Sequence, residues 1–397
     1  MSVASGPKTV TDGLVFAYDM NNIDRSWEGK PTTNFYSNGQ FAGGTGMPQE
    51  FGSNPTNTVI SFPNNPGNSG YVLEQSMGIA ATEYQIDLTT QLLPSTTYVL
   101  SGWYAESPDY SCADGSRMFH CRAFSASGNN VALGTGIGTV ITTTVINGIT
   151  WRYCYATITT PSDYNNLFNW YLGYGPSSYT GKRYYTNIQM ELGSYPSRFV
   201  DGTRSITQSL LDLTNKTIIT MTSPVYNNDG TFSFNGGTDR IDLAASIGPM
   251  GNNFTISAWM NSTNIAATQN ILSMNGPYFM RIDGSRVRFN VLTDTWLFQN
   301  GTTTLSSNTW YFLTMVWNGT AGTWTGYIND MQEFSVSKSG SINAAYSNFY
   351  GYVGYTPQGG EQSNFFGQIP VVYYYNRALS ALEVSQNFNA IRGRYGV

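Results

Sequence analysis

His120 is the sole histidine of the 397-residue chain and stands between Phe119 and Cys121. Any Ser–His–Asp or Cys–His arrangement would have to use it. Nothing around it resembles a strained nucleophile turn, so a structural role is the stronger reading. One histidine cannot build a histidine-rich zinc site, and Cys112, His120 and Cys121 lack zinc-ribbon spacing. Glycoside hydrolysis needs two carboxyl groups across a groove, whereas Glu333, Glu361 and Glu383 each stand alone. Asp239 and Asp242 flank Arg240 at a strand edge. A structural role is again the stronger reading. No cofactor is therefore expected from the residues themselves. No glycine-rich phosphate loop leads from a strand into a helix. The three cysteines, Cys112, Cys121 and Cys154, are too few for a disulfide framework and read as buried thiols.

The positive signal is aromatic. Tyr, Phe and Trp make up 15% of the chain and charged residues only 11%, against roughly 25% charged in an average soluble protein. Sugar rings stack on exposed aromatic side chains beside amides and hydroxyls. Two clusters qualify as glycan platform or protein interface. One is Trp170, Tyr171, Tyr174 and Tyr179; the other is Tyr346, Tyr350, Tyr352 and Tyr355. Core or interface packing is the stronger reading for most of these rings, because Tyr and Trp are enriched there too.

Charge argues against other partners. The net charge is -5 and the densest basic stretch is Arg392 to Arg394, too small a footprint for nucleic acid. No basic helical stripe marks a membrane surface, and no apolar run approaches the ~18 residues of a span. Residues 1–7 lack the charged and apolar regions of a signal peptide, so synthesis in a cytoplasm is expected.

These residues must be positioned almost wholly by strands. Short alternating runs such as Thr97–Tyr104, Thr150–Thr157 and Trp310–Trp317 are bounded by Gly, Asn, Pro and Ser clusters, as in β-sandwiches. A single helix is predicted near the C-terminus. Ser380 and Glu383 form a capping box, Leu382, Val384, Phe388 and Ile391 supply an apolar face, and Gly393 ends it. The segment Gly13–Tyr18 reads as a half-buried strand with no partner nearby in sequence.

The segments "FSFNGGTDRIDL" (232–243), "NFTISAWM" (253–260), "TWYFLTMVWNG" (309–319), "WTGYIND" (324–330) and "FFGQIPVVYYYNRALSALEVSQNFNAIRGRYG" (365–396) resemble, in this order, the concanavalin A-like, laminin-G-type jelly roll. The closing strand and helix resemble the versions in structural proteins of tailed phages. Domains of this type begin with a strand like "GLVLYLD". Here that strand is missing before residue 232 and is found at 13–19. The resemblance implies a discontinuous laminin-G-like sandwich, residues 1–32 and 204–397, interrupted by an inserted domain at 33–203. The inserted block, with "TTYVLSGWYAE" (96–106), "ITWRYCYATITTP" (149–161) and "YYTNIQMELGSYPSRFVDGTRS" (184–205), resembles carbohydrate-binding-module jelly rolls. Its "IQMELGSYPSRFVDGTR" ending is similar to a recurrent phage virion element.

The expected protein is all-β: two jelly-roll sandwiches and one short C-terminal helix. The resemblance implies a non-enzymatic phage virion surface protein, serving as head decoration, fibre or tail adhesin. It would assemble with other virion proteins and with copies of itself, and host-surface glycans are candidate ligands. Some laminin-G domains hold calcium at a rim, so the resemblance leaves Asp239 or Asp242 open as an oxygen ligand for calcium. The alternatives are a free carbohydrate-binding module and a polysaccharide-degrading enzyme.

Overall fold

The computed structural model describes residues 7–397 apart from 23–24, 43–48, 52–56, 77–82, 86–87, 89–90, 113–117, 174–178, 228–230, 245–250, 275–277, 339–341, 343–350 and 356–363. The chain divides into two compact units. One comprises Met1–Lys30, Ser205–Asn227 and Thr231–Val397; the other comprises Pro31–Arg204. The fold is all-β with one short helix, Ala381–Ile391. No helix among the described residues is long and apolar enough to cross a membrane.

The discontinuous unit is a sandwich of an eight-stranded and a seven-stranded sheet. Between them lies an apolar core that includes Phe16, Phe254, Met280, Phe289, Trp317 and Tyr374. The opening strand, Leu14–Asp19, pairs antiparallel with the closing strand, Phe366–Tyr375, with Tyr18 opposite Val372. Its alternation decides its faces: Phe16 and Tyr18 enter the inter-sheet core, while Ala17 faces the helix side. The chain resumes alongside this strand. Leu213 N–H donates to Ala17 O (2.7 Å), and the buried Asp212 accepts from Ala17 N–H (3.1 Å), Lys216 N–H (2.9 Å) and Thr217 N–H (3.1 Å). A carboxylate meeting that many donors is fixed in one orientation.

The helix covers the outer face of the eight-stranded sheet. Val384, Phe388 and Ile391 pack on Trp259, Phe312 and Tyr375, and the Phe388 ring stacks 5.7 Å from Trp259. Leu382, expected on the apolar face, is 83% exposed. It lies at the second helical position, turned away from the buried line through Val384, Asn387, Phe388 and Ile391. Gly393 does not end the helix in a left-handed turn; the chain tightens instead into a 3-10 turn, Arg392–Arg394. Asn387 takes the place a fourth apolar residue would fill. It accepts from Val10 N–H (2.8 Å) and donates to the Tyr375 hydroxyl (2.9 Å), tying the N-terminal segment to the helix.

The capping box is formed: Glu383 N–H donates to Ser380 Oγ (3.3 Å) and Ser380 N–H to Glu383 Oε2 (2.8 Å). Glu383 also binds Arg377 through both oxygens, at 3.0 and 2.6 Å. These hydrogen bonds, that of Arg377 foremost, hold the Glu383 carboxyl at about 2, below its ordinary 4.5. Ser380→Ala is expected to cost about 1 kcal/mol, and Glu383→Ala somewhat more because it removes two functions. A depressed carboxyl contributes its stability above its unfolded-state value and loses it as pH falls through the folded one. The stability gap between wild type and Glu383→Ala in urea unfolding should therefore be full above pH 4.5 and close by pH 2.

The Pro31–Arg204 unit is a second sandwich. Its six-stranded sheet runs in the order Thr139–Ile146, Ile149–Thr159, Thr97–Glu106, Lys182–Leu192, Tyr71–Ser76, Asn57–Ser61. Its five-stranded sheet runs Val131–Gly136, Phe119–Ser125, Tyr164–Leu172, Glu83–Gln85, Gln49–Phe51. Leu73, Leu100, Tyr104, Phe119, Trp170 and Met190 belong to its core. The ends of the unit meet: Thr203 pairs with Thr33 and Arg204 with Thr32.

Candidate functional site

The sequence-chosen aromatics are placed very differently from one another. Trp170 is fully buried and packs edge-on to Tyr36, 6.2 Å away. Its strand lies between two others, so its inward residues are core. Tyr171 is buried beside His120, with ring centroids 5.9 Å apart. Tyr179 is buried with the Arg183 guanidinium 4.3 Å over its ring. Rings covered in this way have no face left for a sugar. Tyr174, Tyr346 and Tyr350 lie outside the described residues. Tyr352 and Tyr355 remain half-buried at the surface, edge-to-face at 5.4 Å.

Tyr352 leads to a larger surface. The seven-stranded sheet of the discontinuous unit runs Ile219–Thr222, Arg240–Leu243, Gly351–Val353, Gln269–Met274, Tyr278–Asp283, Arg286–Leu292, Trp296–Asn300. Residues Ile241, Val353, Leu272, Met280, Phe289 and Val291 point into the core. The alternate residues form the outer face, which no described helix covers. One row crosses all seven strands through direct partners: Thr220, Asp242, Tyr352, Ser273, Phe279, Asn290 and Phe298. At ~4.8 Å per strand the row is roughly 29 Å long; Ser273 and Asn290 within it are buried, and it is most open at the Phe298 end.

Aromatic and guanidinium groups interleave on this face. Phe279 meets Trp296 edge-on at 5.5 Å. Arg288 lies 5.2 Å over Phe298, Arg281 5.8 Å over Phe279 and Arg240 5.2 Å over Tyr355. Trp296 is 42% and Phe298 60% exposed. Both stand on an edge strand, at the open end of the sheet. The hairpin Tyr278–Leu292 fixes the arginines. Its two-residue turn has Gly284 and Ser285 at φ +59° and +62°, the geometry that matches strand twist. That register sets Arg281 opposite Arg288. Asp283 Oδ2 then accepts both guanidiniums, at 3.3 Å from Arg281 and 2.7 Å from Arg288. Asp242 pairs with Arg240 at 2.7 Å.

Sequence reasoning passed over Phe279, Trp296, Phe298, Arg281 and Arg288. The signal was there: in "YFMRID", "RVRFNVL" and "WLFQN", aromatic and arginine residues occupy the phase opposite to the core-facing Met280, Ile282, Phe289 and Val291. Alternation by itself marks a strand; the composition of its outward phase is what marks this face.

The other chemical candidates have structural duties. Asp239 is buried, accepts from Asn235 N–H (2.7 Å) and has its carboxyl pushed up by burial. Glu333 accepts from the backbone and hydroxyls of Thr302 and Thr303, which hold it below the usual carboxylate range. Glu361 lies outside the described residues. Cys121 and Cys154 are buried thiols, each pushed up to about 12 by desolvation, whereas Cys112, expected to be buried too, is half-buried opposite Tyr179 in a two-stranded ribbon. Among the described residues no three His, Cys, Asp or Glu side chains gather as a metal site.

Residues 235–385 match the Laminin_G_3 family model, described as the concanavalin A-like lectin/glucanases superfamily. This segment has the concanavalin A-like jelly-roll fold. It contains the whole hairpin of Arg281 and Arg288. No curated protein sequence matches the chain. Among solved structures, the CBM40 of the Ruminococcus gnavus IT-sialidase, bound to α2,3 sialyllactose, is 13% identical over 34% of this chain and 81% of that chain, with a TM-score of 0.31. Domain 4 of AbnA, a GH43 extracellular arabinanase from Geobacillus stearothermophilus in complex with arabinotriose, is 16% identical over 47% of this chain and 93% of that one, with a TM-score of 0.36. Botulinum neurotoxin type C, whose cell entry depends on two ganglioside molecules, is 16% identical over 46% of this chain, with a TM-score of 0.37. The aligned region spans about half (49%) of that toxin chain.

Proposed function

We propose that this chain is a non-enzymatic surface protein of a phage particle, and that the outer face of its seven-stranded sheet binds glycans of the host surface. The observation that carries the binding reading is the exposed Trp296–Phe298 strand beside Phe279, with Arg288 over the Phe298 ring. Solvent-facing aromatic rings beside amide and guanidinium donors supply both requirements of sugar recognition, an apolar platform and hydrogen bonds to hydroxyls. Virion residence is supported by the phage-like closing strand and helix and by the "IQMELGSYPSRFVDGTR" element. Assembly with other virion proteins and with further copies of the chain would use its low-charge, aromatic surface. The two segments flanking the insertion form, in this reading, one laminin-G-like domain, and 33–203 a carbohydrate-binding-module-like one.

The test is a glycan-binding assay on the purified chain with Trp296→Ala and Phe298→Ala. Each truncation is expected to weaken binding about tenfold, ~1.4 kcal/mol for one lost stacking partner, with unchanged thermal unfolding. Wild-type affinity in both variants would remove this face from the mechanism. Steady release of reducing ends from a bound polysaccharide would overturn the non-enzymatic reading. Antibody labelling of purified particles checks the location, and unlabelled particles would defeat it.

A further inference from the structure

Self-assembly of this chain needs a surface, and we infer that it is the open edge of Thr139–Ile146, which pairs antiparallel with the same strand of a second copy about a two-fold axis at Thr143. The inference rests on the reading that copies of the chain associate, and it names where. Thr139–Ile146 closes the six-stranded sheet and, among the described residues, is paired on one side only, with Ile149–Thr159. An open strand edge presents a row of unmatched N–H and C=O groups to any further strand. At eight residues it is the longest edge strand among the described residues. All of its residues, "TVITTTVI", are β-branched and uncharged, which makes it a strong strand former. All but Thr144 and Ile146 are exposed. The usual protections of an edge, a short strand, a charge or a proline, are missing. The next longest edge strand, Met331–Ser337, carries Glu333, which Thr302 and Thr303 engage from a neighbouring loop.

The turn after the strand fixes which backbone groups face outward. Asn147 and Gly148, at φ +53° and +76°, form a two-residue hairpin turn. Ile146 and Ile149 flank it as a pair, so the backbone of Ile146 is turned toward the neighbouring strand. By alternation Thr144 and Thr142 are turned the same way, and Thr143 and Val145 present their N–H and C=O to the open side. The register to the neighbouring strand shifts once, at Ile141, so the edge is regular from Thr142 onward. The sequence is self-complementary about Thr143. In an antiparallel pair centred there, Thr142 lies opposite Thr144, Ile141 opposite Val145 and Val140 opposite Ile146. Hydroxyl meets hydroxyl and aliphatic meets aliphatic, the matched cross-strand pairs that stabilise a sheet. Centring the pair on Thr142 or Thr144 sets every aliphatic side chain opposite a threonine. A two-fold contact uses both open edges and stops at a dimer. One strand ladder is small beside the ~1,200 Å² of a stable interface, so the dimer is weak. High local concentration on a particle would offset that weakness.

Sedimentation equilibrium of the full chain, from about 1 to about 200 µM, is expected to show a monomer–dimer equilibrium with a Kd of roughly tens of micromolar. Thr143→Pro removes only an outward N–H, the kind of edge position that tolerates proline. Val145→Lys places a charge on a side chain that is 67% exposed. Each is expected to raise the dimer Kd at least about tenfold, with unchanged thermal unfolding. Val145→Lys decides the matter even if Thr143→Pro folds poorly. The register is read by mild oxidation of Thr142→Cys mixed with Thr144→Cys, with wild type as the control for the three native cysteines. Across the two-fold these positions form a non-hydrogen-bonded pair with Cα atoms about 4.5 Å apart, within reach of a disulfide. Each position lies roughly 8 Å from its own copy, out of reach. The mixture should therefore cross-link and neither variant alone should. A dimer that both Thr143→Pro and Val145→Lys leave intact would overturn the edge-strand assignment and leave self-association standing. A monomer at every concentration would overturn both. Cross-linking in a single variant but not in the mixture would overturn the two-fold at Thr143, and open-ended aggregates in place of a dimer would overturn its closure.

Discussion

A fragment spanning residues 205–397 is expected not to fold, although it holds every strand of the discontinuous unit but one. The missing strand, Leu14–Asp19, supplies Phe16, Ala17 and Tyr18, all fully buried. Burying such side chains stabilises by about 1.5–3 kcal/mol for each large one, so losing Phe16 and Tyr18 alone removes a large share of a typical 5–15 kcal/mol stability. The polar losses are also large. Asp212 would lose Ala17 N–H, Leu213 N–H would lose Ala17 O, and Thr214 Oγ1 would lose Val15 O. The closing strand would be left with an open edge along Val371–Tyr375. Far-UV circular dichroism and limited proteolysis of the fragment should show an aggregated or disordered chain. Excising Pro31–Arg204 and joining residue 30 to residue 205 by a short linker should instead give a folded protein. The ends to be joined are already close: Trp27 bridges to Leu210, and Glu28 N–H donates to Ser209 O at 2.9 Å. A cooperatively folded 205–397 fragment would show that the opening strand is dispensable.

Fold class was legible because it rests on periodicity and punctuation, which are local. The alternation in "YFMRID" or "TWYFLTMVWNG" names a strand without any partner, and Ser380 with Glu383 names a helix start. Faces were harder. Trp170 and Trp296 both stand in alternating runs, yet one is core and the other surface. What separates them is the place of the strand in its sheet: Tyr164–Leu172 is flanked on both sides, while Trp296–Asn300 closes an edge. That order depends on which distant strands pair, and no local pattern carries it. The polar core residues were invisible for a related reason. Nothing local marks Asp212 or Asn387 as buried; only their long-range donors, Ala17 and Val10, account for it.

Glu191→Ala is expected to be the most damaging single substitution in the Pro31–Arg204 unit. The residue sits in "IQMELGSYPSRFVDGTR" and is fully buried, a place where carboxylates are almost never found unless fully partnered. Its partners explain the element. Gln189 Nε2 (2.8 Å) and Ser197 N–H (2.5 Å) donate to Oε1; Thr32 Oγ1 (2.6 Å) and Ser197 Oγ (2.9 Å) donate to Oε2. Arg204 Nη1 donates in turn to Ser197 Oγ at 3.4 Å. One carboxylate thus gathers the last long strand, the following loop and the first residues of the unit. Asn34 reinforces the closure, accepting from Met190 N–H (3.0 Å) and donating to Ile188 O (3.2 Å). Truncation would leave four buried or half-buried donors without their acceptor. Stranding even one such group costs about 1–3 kcal/mol, so a total of about 3–5 kcal/mol is expected. For a unit of this size that lowers the melting temperature by roughly 10 °C. Glu191→Gln should fall between, because an amide keeps the shape but turns its NH2 toward donors on one side. Leu192, the next residue, is 52% exposed, and Leu192→Ala should be nearly neutral, within about 0.5 kcal/mol. Scanning calorimetry of the three variants gives the comparison. If Glu191→Ala and Leu192→Ala melt alike, the carboxylate does not hold the ends of the unit together, and this segment has some other role than closing the domain on its own first strand.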